Sequence, residues 1–151
     1  MSIYLLLKFL HVLFAIVATG FNASYPIWFN RAQREPEHAL YALRGIKTLD
    51  DRFANPAYAL LLVLGLAMTF SAGIPLTTLW VASALVLYVL LIVGGVAFYS
   101  PTLKGQIAAL ESSGPNSAEF LRLSQRGTVV GIVLAVDVAV IVFLMVVKPT
   151  L

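Results

Sequence analysis

The stretch Ile3-Tyr4-Leu5-Leu6-Leu7-Lys8-Phe9-Leu10-His11-Val12-Leu13-Phe14-Ala15-Ile16-Val17-Ala18 decides what kind of protein this is. It is an apolar run with one lysine and one histidine sunk into it. On a helix Lys8 and His11 share a face. Steps of three and four continue that stripe through Ala15, Ala18, Asn22 and Tyr25. A polar and small-residue stripe along an otherwise apolar helix is the side turned away from lipid. The run continues to residue 29, longer than the roughly 7–15 apolar residues of a signal peptide. Lys8 lies inside it and no Ala-x-Ala follows, so it reads as a retained span.

The composition agrees. Of 151 residues, 60% are hydrophobic and 11% charged, and the mean hydropathy is +0.93. Soluble globular domains carry about 25% charged residues, so the chain belongs in a membrane. It has no cysteine, which excludes disulfides, thiolate nucleophiles, iron–sulfur clusters and cysteine zinc sites. The net charge of +3 is not a nucleic-acid footprint, because the basic residues gather in two loops beside apolar spans.

Four stretches reach the roughly 20 residues of a bilayer crossing: 3–29, 54–72, 77–99 and 127–147. The predicted fold is therefore all-α, a single membrane domain built as a four-span bundle. Loop one (30–53) holds Arg31, Arg34, Arg44, Lys47 and Arg52; loop three (100–126) holds Lys104, Arg122 and Arg126; loop two, Ser71-Ala72-Gly73-Ile74-Pro75, has no charge. The positive-inside rule puts loops one and three in the cytoplasm and both termini outside, in a cell's inner (cytoplasmic) membrane. Within loop one, Pro36 suits a helix start, and Leu40, Leu43, Ile46, Leu49 and Phe53 follow at helical spacing. That predicts an amphipathic cytoplasmic helix between spans one and two, lying on the membrane surface or running into span two. Loop three predicts a short helix after Ser100-Pro101, a break at Ser112-Ser113-Gly114-Pro115, and a new helix capped by Ser117.

Three ionisable residues fall within the spans: Lys8, His11 and Asp137. Charges at that depth cost roughly 2.5–3.5 kcal/mol on insertion scales and usually mark function. At about 1.5 Å per residue, His11 lies about 12 Å and Asp137 about 15 Å below the outer ends of their helices. That predicts a shared polar layer, with Lys8 and Asp137 as an ion pair or proton relay. Tyr88, in the stripe Ala84, Tyr88, Gly95, Tyr99, and Met68, in the stripe Tyr58, Leu61, Gly65, Met68, reach a similar depth. Gly127-x-x-x-Gly131 with Ala135 makes a small-residue ridge for close helix packing, within the bundle or in a homo-oligomer such as a dimer.

Several short motifs carry a resemblance. Lys8-x-Leu10-His11 with Pro26 beyond it, Asn55-Pro56-Ala57 with Gly65-Leu66, Phe120-Leu121-Arg122, and Val146-Val147-Lys148-Pro149 together resemble HemJ-type protoporphyrinogen oxidases and CopD-like membrane proteins. Closest is a branch of predicted integral membrane proteins with no assigned function. The HemJ resemblance implies haem b, with His11 as axial ligand to the iron and Lys8 near a propionate. Met68 is then a possible second ligand, and Tyr88 a further lining residue. Unlike HemJ, the third span has neither lysine nor histidine, and Ser124-Gln125-Arg126-Gly127 replaces an Asn-Glu-(hydrophobic)-Pro run. Binding is therefore expected ahead of catalysis. Two other functions suit the same residues: a cofactor-free transport or proton-relay protein using Lys8, His11 and Asp137, and a structural scaffold whose loops 30–53 and 100–126 hold a cytoplasmic partner.

Overall fold

Ser2 opens the first helix by accepting the Leu5 amide on its Oγ, and the apolar run behind it propagates unbroken as α1 (Ile3–Arg34). A single turn at Pro36–His38, started by a proline that needs no amide partner, leads into α2 (Ala39–Leu49) and α3 (Asn55–Ser71). Then come α4 (Leu79–Gly94), α5 (Ser100–Ser113) and α6 (Ala118–Val147). This computed structural model describes residues 2–149, and within them the chain is all-α. Four continuous helical stretches are long and apolar enough to cross a membrane: Ile3–Arg34, Pro36–Ser71, Leu79–Ser113 and Ala118–Val147.

The segments between spans hold the helices that the sequence predicts there, and these continue from their spans without a break. The short helix after Ser100-Pro101 is α5, and α4 runs into it through a π-helical turn at Gly95–Tyr99. Likewise α2 runs into α3 through a π-helical turn at Asp50–Ala54. In each case a proline follows closely, Pro56 or Pro101. Proline removes an amide donor and crowds the carbonyl four residues back. A wider turn accommodates both without ending the helix. Asn55 N–H reaches Asp50 O and Ser100 N–H reaches Gly95 O, five residues back in each case. The break at 112–115 falls as the sequence predicts: Gly114 takes φ +81, and Ser117 Oγ accepts the Phe120 amide to start α6.

The helices form two antiparallel pairs. Along α1 and α3, His11 meets Gly65 and Asn22 meets Tyr58. Along α4–α5 and α6, Trp80 sits under Lys148, Gly94 faces Leu134 and Gln106 faces Ser124. That register holds from one end of α6 to the other. At one end, the α3–α4 hairpin closes through Gly73 in a left-handed conformation (φ +65). At the other end α2 covers the bundle, burying Ala39, Ala42, Leu43 and Ile46 against α1 and α5 while Tyr41 stays exposed. Arg44 of α2 pairs with Glu111 of α5 at 2.6 Å.

Burial is uneven. Near the α2 end, Tyr25, Ala32, Leu43, Ile46, Leu103, Leu110 and Phe120 make a core like that of a soluble bundle. Further along, Ala18, Ala54, Ala57, Tyr58, Leu61 and Leu91 make a thinner second core. Beyond these, Ile16, Val63, Val89, Val133, Val136 and Phe143 point outward. In water that surface would drive aggregation; in a bilayer it meets lipid.

Candidate functional site

Between the two cores lies a group of buried polar side chains centred on Tyr58. Asn22 Nδ2 donates to Tyr58 Oη at 2.7 Å, and the Tyr88 hydroxyl donates to the Tyr58 carbonyl. One tyrosine of α3 thus receives hydrogen bonds from α1 at its side chain and from α4 at its backbone. Ala18 and Ala57 are fully or nearly fully buried beside it, and their small side chains let α1 and α3 approach closely enough for the Asn22–Tyr58 bond. Asn22 Oδ1 is buried with no partner.

Toward the α2 end, Tyr25 stacks on Tyr99 with ring centroids 6.5 Å apart and planes 9° from parallel. Both hydroxyls are buried and unpartnered. Asp50 is 9% exposed, and its Oδ2 accepts Asn55 Nδ2 at 3.2 Å. The local backbone explains this placement. Asp50 and Tyr99 each belong to one of the π-helical turns, and such turns re-aim side chains and often mark functional sites. Pro26 in α1 also leaves the Asn22 carbonyl without its helical donor. Three prolines therefore weaken the backbone ladder of three helices around one polar group. Its members donate and accept hydrogen bonds through hydroxyl, carboxamide and carboxyl groups.

Among the described residues no ion pair joins those expected to form one layer. His11 is half-buried and its ring lies on Gly65, where an added Cβ would meet Cε1 at 3.1 Å and Nδ1 at 3.6 Å. Nδ1 is buried against the α3 backbone at Gly65 and Leu61. Lys8 is exposed and forms no ion pair among the described residues, so the Lys8–Asp137 pair is not formed. No ion pair joins Asp137 to His11 among the described residues. The Asp137 neighbours Leu134, Val138 and Ile141 pack on the core of Ala18, Tyr58 and Leu61, as Phe14 and Ala15 of α1 do. Asp137 Oδ2 is buried and unpartnered. Tyr88 reaches Tyr58 rather than His11, and Met68 is half-buried on α3.

His11 and Asn22 are thus about 16 Å apart along the helix axis, and the face between them carries Ala15 and Ala18 against Leu61. This apolar layer divides the two polar regions. The sequence stripes already contained Asn22, Tyr25, Tyr58 and Tyr99, but the ionisable residues outweighed them. A usable signal was present: Tyr25-Pro26, Pro56-x-Tyr58 and Tyr99-x-Pro101 set a tyrosine beside a proline in three different spans.

The Nδ1 edge of His11 is closed by α3 at Gly65, which leaves Nε2 as the ring nitrogen a metal could reach. Two grooves along α1, one beside Trp28 and Arg31 and one beside Gly20 and Phe21, both lie away from His11. Among the described residues, no three histidine, aspartate or glutamate side chains are grouped closely enough to hold a metal ion.

Comparison with known proteins agrees with the membrane architecture and extends it in one direction. Neither the curated proteins nor the solved structures contain a match, and no likeness to HemJ-type or CopD-like proteins emerges. One family model does match, over residues 5–149, and it is described as a predicted integral membrane protein. The chain belongs to that family, DUF2269.

Proposed function

We propose that this protein is a cofactor-free proton relay across the membrane. Its working centre is the polar group of Asn22, Tyr58, Tyr88, Tyr25, Tyr99 and Asp50. One observation carries the reading: Asn22 Oδ1, Tyr25 Oη, Tyr99 Oη and Asp137 Oδ2 are buried without partners in helices that span the membrane. Unpaired buried polar groups are costly, and a bundle that needed only stability would hold apolar residues there. Such groups inside a span are functional by default.

In this reading protons enter at the α2 end, where Asp50 and Asn55 lead to the stacked Tyr25 and Tyr99. They pass to the Asn22–Tyr58–Tyr88 group, with Asp137 beside it. The Ala15, Ala18 and Leu61 layer then blocks passage to His11 and Lys8 at the hairpin end. Bending at the turns before Pro56 and Pro101 opens that layer to water. The test is a purified, reconstituted protein in vesicles containing a pH-sensitive dye, with a potassium gradient and valinomycin driving proton uptake. Protein-dependent uptake that is lost in Asp50→Asn supports the relay; uptake no faster than in empty vesicles overturns it.

Burial of the His11 Nδ1 edge against α3, which leaves Nε2 as the nitrogen open to a metal, favours a second reading, haem ligation. An absorbance spectrum of protein expressed with ample haem decides it. A Soret band absent from His11→Ala restores the haem reading, and its absence from the parent protein ends it.

A further inference from the structure

At the α2 end, α1 and α2 meet in an elbow that leaves a groove of about 270 Å³. Its floor is Ala32 and Ala42, and their small side chains are what keep it open. Trp28, Arg31 and Glu35 form the α1 wall, and His38 and Tyr41 the α2 wall. Tyr41 is 80% exposed, an unusual cost for a ring that nothing in the described chain covers. The Arg31–Glu35 pair is loose, at 3.8 Å. Arg44–Glu111 closes to 2.6 Å. The groove therefore presents one cation and one carboxylate, each with unused hydrogen-bonding capacity.

Depth fixes what can enter. From Lys8 to Trp28 is twenty residues, or about 30 Å of helix, the thickness of the hydrocarbon layer. Trp28 then lies at the interface, where tryptophan and tyrosine concentrate, and Arg31, Glu35, His38 and Tyr41 lie at headgroup level. Basic pockets between spans at that level bind lipid headgroups. Arg34 adds a second cation, but Glu35 and Glu37 balance the arginines, so the patch does not suit a purely anionic headgroup. It suits one bearing both signs. Arg31 and His38 face a phosphate, Glu35 takes an ammonium, and the Trp28 and Tyr41 rings flank that ammonium.

The geometry points to a specific site for a phospholipid with a phosphate and a primary ammonium, of the phosphatidylethanolamine class, seated in the Trp28–Tyr41 groove. The acyl chains of such a lipid run down the exposed face of α1. The site is independent of the proton relay.

Native mass spectrometry of the full chain, released from nanodiscs of equal phosphatidylethanolamine, phosphatidylglycerol and phosphatidylcholine, tests it. The expected result is one retained phosphatidylethanolamine. Glu35→Gln should lower its occupancy roughly fivefold relative to phosphatidylglycerol, and Arg31→Gln should lower both. Tyr41→Ala, at an exposed position that folding does not depend on, should also lower it. Equal retention of the three lipids, or of phosphatidylglycerol above the others, overturns the proposal. So does retention that Glu35→Gln, Arg31→Gln and Tyr41→Ala all leave unchanged.

Discussion

Replacing Tyr58 by phenylalanine removes one oxygen from the centre of the polar group, and the structure says what that oxygen does. It is the acceptor for Asn22 Nδ2 at 2.7 Å. Asn22 Oδ1 is already unpartnered, so the variant leaves a whole carboxamide stranded between α1 and α3. A buried polar group left unpaired costs about 1–3 kcal/mol. Measured hydrogen bonds between membrane helices average about 0.6 and reach about 1.7 kcal/mol, because the unfolded chain in lipid also finds partners. The Tyr88 bond ends on the Tyr58 carbonyl and survives. Tyr58→Phe is therefore expected to destabilise by about 1 kcal/mol. In Asn22→Leu/Tyr58→Phe both partners are apolar, nothing is stranded, and stability returns to within about 0.5 kcal/mol of the parent. Asn22→Leu takes the donor from Tyr58 Oη and is expected to cost up to about 1 kcal/mol as well, so the coupling energy in the cycle is about 1–2 kcal/mol in magnitude. Equilibrium unfolding in mixed micelles, followed by circular dichroism, measures all four proteins. Strictly additive effects would refute the claim that these two side chains form one unit.

Other consequences are simpler. A Cβ on Gly94 would stand 2.6 Å from Leu134 Cδ2, the end of a flexible side chain, so Gly94→Val should push the Leu134 side chain aside and cost about 1 kcal/mol in the same unfolding assay. Arg44 and Glu111 are joined at 2.6 Å but are 62% and 43% exposed, so Glu111→Ala should change stability by less than about 1 kcal/mol. Because the chain has no cysteine, single cysteines report sidedness directly. An impermeant thiol reagent added outside intact cells should label Ala72→Cys and spare Ser113→Cys. The reverse pattern would invert the orientation that loop charge predicts.

Much of the architecture could be read from the residues because membrane insertion constrains sequence strongly. Twenty-residue apolar runs need no tertiary information, and Ser117 and Gly114 mark the last break by local chemistry alone. The stripe from His11 to Tyr25 likewise named the inner face of α1, where Ala18 and Tyr25 are buried. What could not be read is register. Depth measured from each helix end puts Asp137 beside His11, but the core on which Leu134, Val138 and Ile141 pack, that of Ala18 and Tyr58, is set by tertiary packing that helix lengths do not encode. Helices were legible within 30–53 and 100–126 too, but the π-helical turns before Pro56 and Pro101 have no signal in helical spacing. Asp50 was passed over because it lies in such a turn. It is buried only because α2 folds back onto α1 and α5.

The proton-relay account rests on polar groups kept at a cost to stability, and one comparison separates that from a structural role. Asn22→Leu/Tyr58→Phe should fold as stably as the parent, so any loss of function cannot be blamed on unfolding. Proton uptake into dye-loaded vesicles, driven by a potassium gradient with valinomycin, is the measurement. The account predicts rapid uptake with the parent protein and uptake at the empty-vesicle rate with the double variant. Equal uptake by the two proteins would contradict it.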